Sequence, residues 1–527
     1  MDAARRWAGA VAVRNGRIVY VGPDTLPPGL AGPRTEIVDV AGMVLPGFQD
    51  AHVHPISAGV ELGECHLTEL TSARAILDSI RACAAADPAS PWVRGAGWQL
   101  PLFPSANPSR TALDRVVPDR PAAIEAMDGH SLWVNSRGLE LAGITRDTPD
   151  PPGGRIERDP RTGEPTGTLR ESAMALVARI LPERTEAELR AGLERALRQA
   201  NAFGITSLFV ATASEADLSA YTAADRAGEL TVRVVAAAYP DPAMPDSILP
   251  RARAWRARYA TPRVRPIAVK LFQDGVIEAR TAALLAPYLD RSGDAGTPLF
   301  EQPALDRLAA GLDRDGFQIH VHAIGDRAVR MTLDAFRHAR SANGARDARH
   351  AITHLQLVDP ADISRFRGLG VVANFEALWA NGDEYLTELT EPALGPARSR
   401  WLYPIASVVR SGAVVTGGSD WSVSSLDPLQ AIETGITHRP PGDSGGRPWN
   451  PAERVDLPTM LALYTINAAY ALHQERETGS IEVGKLADLV VLDRNLFELP
   501  PGRIHQARVT HTLLEGKTVY QRDPDRP

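Results

Sequence analysis

At 527 residues the chain is too long for one small domain and long enough for a large barrel with accessory parts. Its 44% apolar and 23% charged residues are ordinary for a globular protein, and a formal net charge of −7 without any Lys/Arg-rich run argues against a nucleic-acid partner. The two cysteines, Cys65 and Cys83, could form one disulfide but not a disulfide framework. No run of about 18 apolar residues suggests a membrane span, and Met1 to Ala10 lacks the apolar core of a secretory signal, so the cytoplasm is the expected location.

In chain order, residues 11–22 (VAVRNGRIVYVG) read as two β-runs around Asn15-Gly16, a hairpin turn signal. A further strand is expected over 36–45. Short β-runs return at 487–492, 509–514 and 517–520. Strands at both ends of a long middle predict a small composite β-sandwich domain built from 1–45 and 477–527. The middle, 46–476, carries apolar or β-branched runs at 43–48, 205–210, 231–238, 264–272, 317–322, 350–355, 370–375 and 413–417. Helical patterns lie between most of them. In 183–203, Leu189, Leu193, Leu197 and Ala200 recur at helical spacing, and 326–340 follows Gly325. The class is α/β and the pattern predicts a (β/α)8 TIM barrel. Residues 55–182 are far more than one connection needs. They hold a β-run (121–127), a helical pattern (72–85) and a Pro/Gly-rich stretch (147–154), and read as an insertion after strand 1 on the catalytic face.

Residues suited to metal chemistry recur at the ends of these runs. His52 and His54 in PGFQDAHVHP are two apart, so both imidazoles share one strand face. Lys270 sits inside an apolar run, where an unpaired ammonium is costly. It either pairs with a carboxylate such as Asp274 or Glu278, or is a desolvated amine able to capture carbon dioxide as a metal-bridging carbamate. His320 and His322 share a face, with His322 nearer the strand end and His320 a layer deeper. His354 and Asp420 (in GGSDW) close two later runs. In a barrel these ends converge on one mouth. Nitrogen and carboxylate donors suit zinc, with manganese, cobalt, nickel or iron as alternatives.

The motifs VLPGFQDAHVHP (44–55), VKLFQDG (269–275), HVHAIGDRA (320–328), THLQ (353–356), GGSDW (417–421) and GSIEVGKLADLVVLD (479–493), with the stretches 109–136 and 152–171, resemble the amidohydrolase superfamily. Within it they resemble the YtcJ-like, amidohydrolase-3 group that includes N-substituted formamide deformylases. The resemblance covers nearly the whole chain. It implies a distorted barrel with a composite β-sandwich, one or two divalent metals on His52, His54, Lys270 (carboxylated by CO2), His322 and His354, and Asp420 as metal ligand and general base. Two departures stand out. Relatives usually carry one more β-strand before residue 7, so the small domain lacks an edge strand or the true start lies upstream. DGVIEARTA (274–282) also differs from the DGSLGSRTA-like form of many relatives.

The implied reaction is hydrolysis of a C–N bond in an amide, N-formyl group or cyclic amide. Metal lowers the pKa of a bound water towards about 7, and Asp420 takes its proton and later protonates the leaving nitrogen. His322 or His354 helps orient the substrate oxygen. Trp98, His130 and Arg280 are the candidate substrate contacts. Each has a plainer alternative: core packing of the insertion for Trp98, a capped turn for His130, a surface ion pair for Arg280. Glu171 is a weaker pocket candidate, and Trp421 is expected to pack the rim. The same site could serve a deaminase, a biosynthetic cyclase or, with its chemistry lost, a scaffold. The expected partner is a small-molecule substrate, with no nucleic acid or membrane. A homodimer is the common state of such barrels, although no single feature marks an interface.

Overall fold

The computed structural model describes residues 6–240, 244–443 and 445–523. Residues 1–5 and 524–527 of the expected terminal domain lie outside that range. β1 (Ala10–Arg14) and β2 (Arg17–Gly22) form the predicted antiparallel hairpin. Asn15 and Gly16 take φ of 51° and 77°, the consecutive left-handed pair that a type I′ hairpin turn requires.

The next strand corrects the reading of 36–45 and of 43–48. Only β3 (Met43–Pro46) is extended, and it ends before Gly47. The chain then changes sheet, and the first barrel strand is β4 (Phe48–Val53). Gly47 allows the change because a Cβ there would collide with the Thr206 side chain. An unbroken apolar run had hidden the switch.

After β4, the helix Pro55–Glu61 packs on the later helix Glu186–Ala202, with Gly59 against Gly192 at a separation no Cβ could share. The excursion from the barrel therefore begins after residue 61. It builds its own six-stranded mixed sheet from β5 (Cys65–His66), β6 (Val93–Trp98), β7 (Ala122–Ala126), β8 (Ser131–Val134), β9 (Gly154–Arg158) and β10 (Pro165–Glu171), in the order β5-β6-β7-β8-β10-β9. A Cys65–Cys83 disulfide ties β5 to the helix Ala73–Ala86, which Ser72 caps.

The chain returns through Glu186–Ala202, started by a Thr185/Glu188 capping box. β11 (Ile205–Ala213), β12 (Arg233–Ala238), β13 (Val264–Phe272), β14 (Gln318–Ala323), β15 (Ala351–His354), β16 (Val372–Phe375) and β17 (Val415–Gly417) complete an eight-stranded parallel barrel with β4. Its strands are buried on both faces, which explains their continuous rather than alternating apolar pattern. The seam between β17 and β4 is closed just beyond the strand ends: Asp420 donates its peptide N–H to His52 O (2.8 Å) and His54 donates to Trp421 O (3.0 Å).

β18 (Leu489–Leu492), β19 (Val509–Leu514) and β20 (Lys517–Gln521) join β3 in a four-stranded sheet of order β20-β19-β18-β3. The N-terminal hairpin lies against it, with Ile18 packed on Ile481, Ala487 and Leu489 and bonded through its N–H to Lys485 O (2.9 Å). The two chain ends thus share one small β-unit. Among the described residues no helix is long and apolar enough to cross a membrane.

Arg233, at the start of β12, pins this β-unit to the barrel floor. Its guanidinium donates to Asp488 Oδ2 (2.8 Å) and Glu515 Oε1 (2.7 Å), with Arg233 and Asp488 both buried. Asp488→Ala should lower the stability measured by chemical denaturation by about 3 kcal/mol, the cost of removing one partner of a buried ion pair, with Glu515 still holding Arg233. Arg190→Ala, which breaks an exposed pair with Glu229, should change it by less than about 1 kcal/mol.

Candidate metal and active site

The mouth of the barrel gathers imidazoles whose Nδ1 atoms are tied backwards. His52, at the end of β4, is fully buried, and its Nδ1 lies 2.8 Å from both Thr353 Oγ1 and His320 Nε2. Thr353 Oγ1 donates to Asn374 Oδ1 (2.9 Å), so towards His52 it accepts. His52 therefore carries its proton on Nδ1 and leaves a lone pair on Nε2. His354 repeats the arrangement, its Nδ1 donating to Glu376 Oε2 at 2.9 Å. His54 Nδ1 lies 2.8 Å from Thr212 Oγ1. Partners of this kind fix tautomer and ring orientation in metal sites.

The freed atoms face Asp420. Its Oδ1 lies 2.9 Å from His54 Nε2 and 3.4 Å from His52 Nε2. Yet neither His52 Nε2 nor Asp420 Oδ1 makes an aligned hydrogen bond, although both atoms are buried. Such orphans are costly in a dry interior. His52, His354 and Asp420 each offer one ligand atom, all within 4.8 Å of one another. Two imidazole nitrogens and a carboxylate oxygen are a donor set that fits zinc or a similar divalent ion.

The electrostatics agree with that fit. Burial, then the neighbouring Lys270 charge, holds His52 well below its ordinary pKa. Burial likewise lowers His320 and His322. For Asp420 burial works the other way, but the adjacent His52 and His54 outweigh it and keep the carboxyl well below the usual range. Lys270 is 2% exposed on β13, and burial pushes its ammonium down to about 8. Its Nζ lies 4.7 Å from the Phe272 ring. The carboxylates expected to pair with it are engaged elsewhere. Asp274 accepts the peptide N–H groups of Ala283, Ile324 and Gly325, and Glu278 accepts from Gln356 and Thr390.

His322 sits beside this group, its ring 4.6 Å from that of His354 and its Nε2 3.1 Å from Gly275 O. His320 lies one layer deeper, stacked on Phe209 at 4.5 Å, as its register implies. His130 arrives from the insertion. Its ring is 5.0 Å from that of His322, and its Nδ1 donates to Glu171 Oε2 (2.7 Å). Burial opposes a charge on His130, but Glu171 prevails and raises it to about 9. The weaker candidate Glu171 is thus the partner that orients His130, while its other oxygen accepts from Thr281 Oγ1 (2.7 Å).

Two candidate substrate contacts are corrected. Trp98 is fully buried in the insertion core, edge-on to Trp133, with its Nε1 donating to Ile124 O (3.0 Å), and forms no pocket wall. Arg280 spends its donors on its own loop: on Asp290 Oδ2 (2.9 Å from Nε) and on the carbonyls of Ile277 and Glu278. Glu376, Thr212 and Thr353 were missed. Glu376 is fully buried one residue beyond β16, a strand-end position of the kind that marked the other site residues. Glu171, Arg280, His354 and Asp420 take φ of 50°, 61°, 76° and 50°, so left-handed backbone clusters around this mouth.

The profile of the amidohydrolase family matches residues 36–520. Protein LONG AFTER FAR-RED 3 of Arabidopsis thaliana is 31% identical over 98% of this chain and 89% of its own length. The N-substituted formamide deformylase of Arthrobacter pascens is 29% identical over 99% of this chain and 96% of its own. The crystal structure of an uncharacterized metal-dependent hydrolase from Pyrococcus furiosus superposes with a TM-score of 0.69 at 25% identity, covering 92% of this chain and 94% of that one.

Glu376→Gln removes the carboxylate behind His354 without touching the ligand atoms. Zinc titrated into chelator-stripped protein should bind this variant roughly 10–100-fold more weakly than wild type. Unchanged affinity would mean that His354 is not oriented for a metal.

Proposed function

This chain belongs to the amidohydrolase family, and from that premise we propose that it hydrolyses a carbon–nitrogen bond other than a peptide bond, in an amide, N-formyl group or cyclic amide. The proposed ligands of one or two divalent ions, zinc foremost, are His52, His54, Lys270, His322, His354 and Asp420. The observation that carries the reading is the convergence of buried donor atoms from His52, His354 and Asp420, all within 4.8 Å of one another. When bound there, a divalent ion would activate water and polarise the substrate carbonyl.

The chain's own residues supply the remaining roles. Asp420, held ionised by His52 and His54, accepts the proton of the attacking water and returns it to the leaving nitrogen. His354 and His322 flank the position of the substrate oxygen. His130, oriented by Glu171, faces them from the insertion and contacts the substrate. Lys270 has a free-amine fraction because of its burial. Its Nζ attacks carbon dioxide, forming an N–C bond and losing a proton, to give a carbamate with two donor oxygens. The relative named for N-substituted formamides makes N-formyl amines the first substrates to try.

In a screen of N-formyl, N-acetyl and cyclic amides, metal-loaded protein should release a carboxylate and an amine rather than ammonia. Asp420→Asn should keep the wild-type circular dichroism spectrum and lose about 10²–10⁴-fold in kcat. Near-normal kcat in that variant would remove Asp420 from the role of base.

A further inference from the structure

A cavity of about 600 Å³ lies beside the candidate metal site and is lined by none of its proposed ligands. It opens between the helix Pro55–Glu61, the insertion strands β6, β7 and β8, and the start of the helix Glu215–Ala227. Ile56, Val60, Leu132 and Leu189 give it an apolar wall.

Its charged groups divide into spent and unspent. Arg184 grips both oxygens of Glu64, with Nη2 to Oε2 at 2.7 Å, and Arg94 adds a contact to the same carboxylate at 3.9 Å. Asp217 caps its own helix on Ser214, and Glu215 accepts from Tyr259 Oη at 2.9 Å. Three carboxylates remain, of which Glu183 is exposed to solvent and Glu61 and Glu125 are shielded. Glu61 accepts from Ser422 Oγ and has no cationic partner within ion-pair distance among the described residues. Glu125 has neither a hydrogen bond nor an ion pair among the described residues. Burial, reinforced by Glu61 and Asp128, pushes its carboxyl up to about 8. The nearby charges of His130 and Arg184 offset that burial only in part, and a cation bound in the cavity would relieve it further.

The cavity shares a wall with the catalytic mouth. Ser422, bonded to Glu61, lies two residues past Asp420, and its neighbour Trp421 accepts the peptide N–H of His54 at 3.0 Å. We infer that this cavity receives the cationic end of the substrate, an alkylammonium on a short aliphatic stem, with Glu125 and Glu61 as its counterions. The inference rests on the hydrolase reading for the word substrate, but the cavity's preference for cations can be measured separately.

The test uses full-length, metal-loaded protein and two nearly isosteric formamides, N-formyl-1,4-diaminobutane and N-formylpentylamine, which differ by ammonium against methyl. Calorimetric titration of 1,4-diaminobutane provides a readout that needs no turnover. The expected results are a KM at least about 10-fold lower for the ammonium compound, and loss of that advantage in Glu125→Gln and Glu61→Gln. Diamine affinity should fall by a similar factor in both variants, each of which keeps side-chain size and so spares the fold. Equal cleavage of both formamides with no diamine binding would overturn the cavity assignment and leave the hydrolase standing. Diamine binding lost in Glu125→Gln, with neither formamide cleaved, would uphold the cavity and count against the formamide substrates alone. Diamine binding untouched by both variants would overturn the inference.

Discussion

The seam where the barrel closes and the site where chemistry is placed are held by the same bonds. The peptide N–H of Asp420 donates to His52 O, and that of His54 donates to Trp421 O, so the two strand ends are joined through the residues that carry the functional side chains. Asp50 reinforces the joint from below, accepting the N–H of His52 (3.0 Å) and of Ser419 (3.1 Å) on one oxygen. Burial pushes its carboxyl up to about 7. Gly418 passes so close to His52 (2.7 Å from a hypothetical Cβ) that no side chain fits. The backbone of Asp420 cannot move away from His52 without breaking the bonds that close the barrel.

The rest of the site follows from that fixed edge. Thr353 and Glu376 behind the rim set the tautomers of His52 and His354 and turn their lone pairs inward. Burial holds His52 and His322 well below their ordinary pKa, which favours the neutral form that a metal ligand needs. The insertion contributes from above: His130 reaches His322, Glu171 holds His130, and the floor of its sheet walls the neighbouring acidic cavity. On the proposed reading, the barrel would supply the donors for a metal and the insertion the surroundings of a substrate.

Much of this was legible in the sequence because buried parallel strands and strand-end ligands leave strong local marks. Seven of the eight expected barrel runs fall on observed strands, and the histidines and Asp420 sit at their ends. What failed were properties that depend on partners distant in the chain. The run 43–48 spans two sheets because the switch at Gly47 is dictated by Thr206, far along the sequence. Trp98 could be wall or core, and Trp133 decides for core. Arg280 could be a substrate contact or a surface ion pair, and Asp290 with two carbonyls decides for the ion pair. Lys270 was offered Asp274 and Glu278 as partners, and backbone amides and neutral side chains had claimed both. Glu376 escaped notice because it lies just outside its apolar run.

The central claim is that the convergent donors at the seam form a divalent metal site. Elemental analysis of the full-length protein, purified without chelator, tests it most directly, together with intact mass under native conditions. The account predicts about one or two equivalents of zinc or a similar ion per chain, with a labile mass excess of one carbon dioxide if Lys270 is carboxylated. A chain that holds no metal, even when zinc is supplied, would contradict it.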